Sequence, residues 1–290
     1  MARKIAKGRA KASCCSLDQR LSIPVEKKMK KILLAMTRKG ALVVAFSGGV
    51  DSTVVAKLAQ MALGKHVVAV TADSDSLPRS ELREAKALAK LIGIEHRVVK
   101  QNELDDDTVA KNPPDRCYHC RKGLTRILKA VARQTGYKTI ADGVNYSDLG
   151  EHRPGIQAAN EAGIWHPFME FKVTKPELRA IAKALGLPIH NKPAAACLSS
   201  RIPYGQKITK EKLSQIEKAE DILKKMGFDH VRVRHHGDIA RIEVPPEHFK
   251  KFSDPKVRKK VTLKLQDIGF RYVVVDLLGY RAGSMDEALK

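Results

Sequence analysis

Two cysteines three positions apart are the first residues of this chain whose spacing indicates chemistry: Cys117 and Cys120, in the stretch RCYHC. A third cysteine, Cys197, follows in the stretch KPAAACLSSRIPYG. Three thiolates that leave one position open suit a [4Fe-4S] cluster whose fourth iron binds an external ligand. Zinc held by the three cysteines and a histidine such as His119 is the competing site. Three thiols that share no ligand are the remaining alternative.

The stretch AFSGGVDST, residues 45–53, has the composition of a phosphate-binding loop. Its two glycines allow backbone amides to close around an anion, and the N-terminus of a following helix adds partial positive charge. Asp51 has the chemistry to cap that helix or to bind Mg²⁺. The stretch is not a Walker A motif, because the required spacing of glycines and lysine is absent, and a capped glycine turn without a ligand is the simpler alternative. The candidate phosphate ligands are Ser47, Gly48, Gly49, Asp51, Ser52 and Thr53.

The segments around this loop alternate between apolar runs and amphipathic stretches. Residues 41–46 form a continuous apolar run, which is typical of a parallel strand that is buried on both faces. The alternation of strand and helix patterns continues as far as residue 141. It predicts an α/β fold with a doubly wound, mostly parallel sheet. In this pattern the helix that follows the cysteine pair is predicted to run from Gly123 to Gln134.

A change in the order of elements divides the chain into predicted domains. Residues 1–20 are basic and are predicted to form a disordered tail. Residues 21–195 carry the α/β pattern and the glycine loop. Residues 196–290 have the order helix, two strands, helix and strand, which predicts a smaller α+β domain for substrate binding and oligomerisation.

The charge of the chain favours polyanionic partners. Its 290 residues have a formal net charge of +22 at pH 7, which suits nucleic acid or phosphorylated metabolites. The apolar runs are too short to span a bilayer, and no leader sequence is visible at the N-terminus. Five cysteines, an odd count, indicate reduced thiols rather than a disulfide framework. The sequence therefore predicts a cytoplasmic protein with no membrane partner.

Residues 47–52, SGGVDS, resemble the signature of the PP-loop ATP pyrophosphatases. The resemblance implies that ATP is cleaved between its α- and β-phosphates and that a substrate is activated as an adenylate. ATP with Mg²⁺ is then the expected cofactor. Thr71, at the end of the strand that follows the loop, lies where sheets of this type bind adenosine.

Four stretches, in order and spacing, resemble the LarE-type sulfur transferases, which help to build the nickel-pincer nucleotide cofactor of lactate racemase. The stretches are DGVNYSDLGEHRPG, KPAAACLSSRIPYG, VRVRHHGDIARIEVPP and GFRYVVVDLLGYRAGSM. The resemblance implies a small mononucleotide substrate, pyridinium-3,5-biscarboxylic acid mononucleotide. Its carboxylates would be adenylated and converted to thiocarboxylates in two rounds. The resemblance also implies a homo-oligomer, such as a hexamer.

The same family uses two sources of sulfur. In one branch a single cysteine, which matches Cys197, gives up its own sulfur and becomes dehydroalanine. In the other branch three cysteines hold a [4Fe-4S] cluster, and an extra sulfide on the unique iron is the proposed donor. Cys117 and Cys120 place this sequence in the second branch, which requires an external sulfide source. A carboxylate is a poor electrophile, and adenylation supplies the leaving group that makes attack by sulfur feasible.

The resemblance also gives candidate substrate and catalytic residues. Arg201, Arg232 and Arg234 match family arginines that are expected at the phosphate of the nucleotide, and exposed strand charges are the alternative. On a strand Arg232 and Arg234 share one face, so they can clamp one anion. Asp148 and Arg153 follow a predicted strand at the carboxyl edge of the sheet, where they are expected to bind Mg²⁺ or to orient the adenylate. The predicted catalytic residues are Cys197, Asp51 and Asp148.

A tRNA-thiolating enzyme is the main alternative, because such enzymes also combine this loop with three cluster cysteines and because positive charge suits RNA. No Cys-x-x-Cys zinc-ribbon pairs flank the chain, and its second domain matches no RNA-binding module. Nucleic acid is therefore not the expected partner. An ATP-dependent amidase or ligase is the third interpretation, but it would need an ammonia source, and no glutaminase pattern is visible.

Overall fold

The computed structural model describes residues 21–150, 154–193, 196–281, 283–285 and 287. The predicted tail and the candidate Arg153 lie outside the described residues. The described part contains a four-stranded sheet with helices, followed by a three-stranded sheet. The predicted α/β fold class, with a smaller α+β region after it, is confirmed.

The first sheet is entirely parallel and has the order β3-β2-β1-β4. Its strands are β1 (Leu42–Ala45), β2 (Val67–Asp73), β3 (Glu95–Lys100) and β4 (Thr139–Ala141). All residues of β1 are buried, as a continuous apolar run predicts for a central parallel strand. The chain first adds β2 and β3 on one side of β1 and then adds β4 on the other. A crevice therefore opens at the carboxyl ends of β1 and β4, where sheets of this kind bind ligands.

Helices cover both faces of this sheet. Leu42 and Val44 pack with one hydrophobic cluster, and Val43 and Ala45 pack with another on the opposite face. The helices of this region are α1 (Ile23–Lys39), α2 (Val50–Leu63), α3 (Arg79–Ile92), α4 (Asp107–Ala110), α5 (Arg116–Thr135), α6 (Pro154–Glu161), α7 (Pro167–Glu170) and α8 (Lys175–Ala184). In the described ranges, no helix combines the length and the apolar character that crossing a membrane requires.

The helix that carries the cysteine pair begins earlier than the sequence pattern predicts. The predicted start was Gly123, whereas α5 begins at Arg116 and contains both Cys117 and Cys120. The first turns of α5 are polar and include a glycine, so they lack the apolar spacing that marks a helix. Positions three apart on a helix are neighbours on one face, so the two thiols lie on the same side of α5.

The second sheet has the order β5-β6-β7, with an antiparallel pair followed by a parallel pair. Its strands are β5 (Arg232–His236), β6 (Ile239–Glu243) and β7 (Tyr272–Val275), and its helices are α9 (Lys210–Lys225) and α10 (Pro255–Gln266). Val233 and Ile242 pack against the helices, so by alternation Arg232 and Arg234 lie on the opposite face of β5. The sequence pattern predicts the second helix of this region near residues 247–252, where the structure has a 3-10 helix, Pro246–Ser253. It misses α10, because only Val261 and Leu265 of this basic helix are buried.

Candidate active site

A cavity of about 740 Å³ lies between the glycine loop and the second sheet. Its volume is in the usual range for small-molecule sites. The loop contributes Ser47, Gly49, Val50, Asp51 and Ser52 to the lining. The opposite wall includes Arg201, Arg232, Arg234, Tyr280 and Arg281. Hydroxyl and amide groups at one side and guanidinium groups at the other make both walls suitable for anions.

The glycine loop depends on a close approach to α3. Gly48 has a φ of 74°, a left-handed conformation that side chains disfavour. A Cβ atom on Gly48 would lie 3.0 Å from the Cα atom of Ala85, in α3. Gly49 is the N-cap of α2, so the first amides of that helix lie at the loop without intrahelical partners. The loop and the helix terminus together form a site suited to phosphate.

The hydroxyl groups of the loop are held in a local network. Ser52 Oγ donates to the carbonyl oxygen of Gly49 at 3.2 Å and lies 3.1 Å from Ser47 Oγ. Both serines line the cavity. The structure does not bring Thr53 to this cavity, because its side chain is fully buried on the core side of α2.

Asp51 forms an ion pair that the sequence did not predict. Nζ of Lys175, the first residue of α8, lies 2.7 Å from both carboxylate oxygens of Asp51. Both side chains line the cavity. The pair arises because Thr174 begins α8 with a capping box, which fixes the position of the next residue. The ammonium group balances the charge of a carboxylate whose chemistry also suits Mg²⁺.

The segment after β4 supports the loop. Asp148 is buried, and its Oδ2 accepts hydrogen bonds from the backbone N and the side-chain Nδ2 of Asn145, at 2.9 and 3.0 Å. Asp148 also lines the cavity. Gly143 was not predicted, although a Cβ atom there would lie 2.7 Å from the backbone N of Ser52. This glycine therefore allows the segment to pack directly on the first turn of α2.

A smaller cavity of about 360 Å³ adjoins the loop at the carboxyl ends of β1 and β2. Its apolar lining includes Phe46, Val70, Ala72, Leu77, Leu124 and Val144. Thr71 lines it too, but the Thr71 hydroxyl donates to the carbonyl oxygen of Phe46 at 2.6 Å. Arg121, beside the cysteines on α5, forms an ion pair with Asp142 at the wall of this cavity.

The three predicted cluster cysteines lie in one region of the structure. Burial, the Glu103 carboxylate and the Cys197 and Cys117 thiols raise the pKa of Cys120, so these groups lie within electrostatic range of one another. Cys120 Sγ donates to Glu103 Oε2 at 3.3 Å, while Cys117 and Cys197 are exposed. Among the residues described, no group of three or more His, Cys, Asp or Glu side chains is arranged as a metal site.

The three predicted phosphate arginines have different surroundings. Arg201 is buried and forms an ion pair with Glu220 at 2.9 Å. Arg234 is buried and forms an ion pair with Glu243 at 2.6 Å. Arg232 has no ion pair with a carboxylate among the described residues, and burial followed by the nearby Arg201 lowers its pKa. Of these three arginines, Arg232 is therefore the one whose charge is best available to a ligand.

Substitutions at Arg232 and Arg234 are expected to have separable effects. Arg232→Ala should weaken binding of a phosphorylated mononucleotide by about tenfold to a hundredfold, because the charged hydrogen bond to the ligand is lost. Among the described residues, no buried carboxylate loses an ion pair in this variant. Arg234→Ala should instead lower the free energy of unfolding by about 1–3 kcal/mol, because buried Glu243 loses the shorter of its two ion pairs and keeps only the one with Arg241 at 3.2 Å. Titration calorimetry and thermal unfolding of both variants test this. Unchanged mononucleotide affinity in Arg232→Ala would show that its guanidinium does not meet the ligand.

The parallel sheet and the SGGVDS loop at the end of β1 define a PP-loop nucleotide-binding domain. A family model described as NAD synthase matches residues 24–123. An uncharacterized protein of Synechocystis sp. is 43% identical over 265 residues, which cover 91% of this chain and 99% of that protein. A tRNA-specific 2-thiouridylase of Zymomonas mobilis is 29% identical over 225 residues, 64% of this chain and 60% of that protein.

A further relative identifies the family. The pyridinium-3,5-bisthiocarboxylic acid mononucleotide synthase of Lactiplantibacillus plantarum is 38% identical over 266 residues, which cover 90% of this chain and 95% of that protein. The chain therefore belongs to the LarE family, and the resemblance inferred from its four sequence stretches is confirmed.

Proposed function

We propose that this protein is an ATP-dependent sulfurtransferase that converts the carboxylates of pyridinium-3,5-biscarboxylic acid mononucleotide to thiocarboxylates. One observation carries the proposal: a single cavity has a phosphate loop on one wall and arginines on the other, with three thiols nearby. The Lactiplantibacillus relative supports the choice of substrate, because its name is that of a synthase of the bisthiocarboxylic acid mononucleotide.

ATP has a continuous path from the smaller cavity into the larger one. The apolar walls of the smaller cavity suit the adenine base. Ser47, Asp51 and Ser52 line both cavities, so a nucleotide with its base in the smaller one would place its phosphates at the loop. Asp51 and Asp148 line both cavities, and their carboxylates would coordinate a Mg²⁺ ion bound to those phosphates.

The reaction that fits this geometry has two steps. A carboxylate oxygen of the mononucleotide attacks the α-phosphorus of ATP, and pyrophosphate leaves with the electron pair of the broken P–O bond. An anionic sulfur then attacks the carbonyl carbon, and the C–O bond to AMP breaks, so that AMP leaves and a thiocarboxylate remains. Arg232 would hold the phosphate of the mononucleotide and thereby orient its carboxylate toward the loop.

The three cysteines are donors of the number and kind that a [4Fe-4S] cluster takes, although the described side chains are not gathered as a metal site. Cys117 and Cys120 come from one helix and Cys197 from a separate segment, and the described residues contain no fourth cysteine to close the site. When bound by these residues, such a cluster would supply sulfide from its open iron, reloaded from an external sulfide source. Zinc is the competing metal for these three cysteines, and the iron, sulfide and zinc content of the purified protein distinguishes a cluster from a zinc site.

A tRNA-thiolating activity is less well supported. The similarity to the 2-thiouridylase covers 64% of this chain. In addition, the predicted phosphate arginines line a cavity, and Arg201 and Arg234 are buried, whereas binding of tRNA requires cations on an open surface. A mononucleotide therefore fits the site better than a polynucleotide does.

The test is an anaerobic reaction with ATP, Mg²⁺, sulfide and the biscarboxylic acid mononucleotide. The proposal predicts pyrophosphate, AMP and a product whose mass shows that oxygen has been replaced by sulfur. Pyrophosphate release should depend on the mononucleotide and should not respond to added tRNA. Pyrophosphate release stimulated by tRNA, with no thiocarboxylate formed, would contradict the proposed substrate.

A further inference from the structure

A buried side chain joins the segment before α5 to the segment that follows Cys197. Asn112 is completely buried, and its φ of 57° is uncommon for a residue other than glycine. Its Nδ2 donates to the carbonyl oxygens of Ile202 and Pro203, at 3.1 and 2.8 Å. Its Oδ1 accepts a hydrogen bond from Arg116 at 2.5 Å. Both donors and the acceptor of this amide are therefore used.

Backbone hydrogen bonds reinforce the same junction. The backbone N of Gly205 donates to the carbonyl oxygen of Asn112 at 2.9 Å, and the backbone N of Ile208 donates to that of Ala110 at 2.8 Å. An unfavourable backbone conformation persists only where surrounding contacts determine it, and such positions cluster at functional sites. Here the contacts fix two segments, one of which leads into Cys117 and the other of which follows Cys197.

Arg116 lies between the two cysteine-bearing segments and lines the large cavity. It is buried, and it donates to the carbonyl oxygen of Ser199 at 3.3 Å and to Cys117 Sγ at 3.8 Å. No carboxylate forms an ion pair with Arg116 in the described part of the chain. Of the groups to which Arg116 donates a hydrogen bond, Cys117 Sγ is the one that can carry negative charge, as a thiolate.

We propose that Asn112 and Arg116 are positioning residues for sulfur transfer. Asn112 sets the separation of the two cysteine-bearing segments, and Arg116 holds a fixed positive charge beside the Cys117 thiol, where α5 meets the segment that follows Cys197. This inference rests on the proposed function for the sulfur chemistry. Its geometric part applies to the protein whatever the substrate is.

The geometric part is tested by cross-linking Cys117 to Cys197 in metal-free protein with a short bifunctional maleimide. Asn112→Gly removes the side chain but tolerates the left-handed backbone. We expect its yield of the Cys117–Cys197 cross-link, measured by peptide mass spectrometry, to be about tenfold lower than that of the wild type. Asn191→Gly is the control, because Asn191 is exposed in the segment before Cys197, and its yield should be unchanged.

Equal cross-link yields in the wild type and a folded Asn112→Gly variant would overturn the role of Asn112. If Asn112→Gly does not fold, the same cross-link yield is measured in Asn112→Asp. Asn112→Asp retains an acceptor for Arg116 but loses the donor to the two carbonyl groups, so its yield should also fall. An Asn112→Asp yield equal to that of the wild type would then overturn the role.

The electrostatic part is tested by measuring thiocarboxylate formation and pyrophosphate release in the same reaction. Arg116→Gln should lower thiocarboxylate formation by about a hundredfold while pyrophosphate release continues, and Arg116→Lys should recover part of it. Arg133→Gln, an exposed position on the same helix, should have no effect. Normal thiocarboxylate formation in Arg116→Gln would overturn the role of Arg116. Absence of thiocarboxylate in the wild type would instead refute the proposed function, and the cross-link would still decide the role of Asn112.

Discussion

Gly48→Ala is expected to lower pyrophosphate release from ATP by at least about a hundredfold. The added Cβ would meet the backbone of Ala85 at 3.0 Å, and the position requires a left-handed φ of 74°. The loop must then move away from α3, and its amides can no longer surround the phosphates. The rate of pyrophosphate release with saturating ATP and mononucleotide measures this effect.

Gly64→Ala is the matched control for this substitution. Gly64 follows the same helix, α2, and has a φ of 58°, but nothing lies within 4 Å of the Cβ that alanine would add. Each alanine adds backbone strain of about 1 kcal/mol, so both variants should unfold at lower temperature. Only Gly48→Ala should lose pyrophosphate release. Loss of that activity to the same degree in both variants would contradict the assignment of the loop.

Cys197→Ala and Cys117→Ala are each expected to abolish thiocarboxylate formation while pyrophosphate release continues. The reason is that neither Cys117 nor Cys197 lines the two cavities that would hold ATP. The two half-reactions therefore use different residues. Product mass and pyrophosphate should be measured in the same reaction, together with the iron, sulfide and zinc content of each variant.

A variant with both Cys14→Ala and Cys15→Ala is the control, because these two cysteines of the basic tail, outside the described residues, are not among the three proposed ligands. Its thiocarboxylate formation and metal content should equal those of the wild type. Retained sulfur transfer in Cys117→Ala would contradict the three-cysteine site. Loss of pyrophosphate release in that variant would show that the cysteines are needed for the ATP site as well.

The sequence predicted the loop and the parallel sheet well, because both depend on local patterns. The apolar run 41–46 and the two glycines that follow it are compatible with few structures other than a buried strand that ends in a tight loop. The start of α5 was misplaced, because a polar first turn has no apolar periodicity to detect. The α10 helix was missed for a similar reason, since it buries few of its residues.

The surroundings of the site residues could not be predicted. Arg201, Arg232 and Arg234 look alike in the sequence, but only the fold shows that Glu220 and Glu243 pair with two of them. Lys175, Gly143 and Arg116 were missed because their partners are distant in the chain. Arg116 had one local signal, its position directly before Cys117, but this could not reveal the link to Ser199.

The most direct test of the account is the number of thiocarboxylates formed per polypeptide chain in anaerobic protein supplied with excess sulfide, ATP and mononucleotide. If the three cysteines support catalytic sulfur transfer, each chain should form many thiocarboxylates, and the mass of the protein should not change. If each chain forms one thiocarboxylate and its own mass falls through conversion of Cys197 to dehydroalanine, the protein consumes itself as the sulfur source. That result would contradict the account.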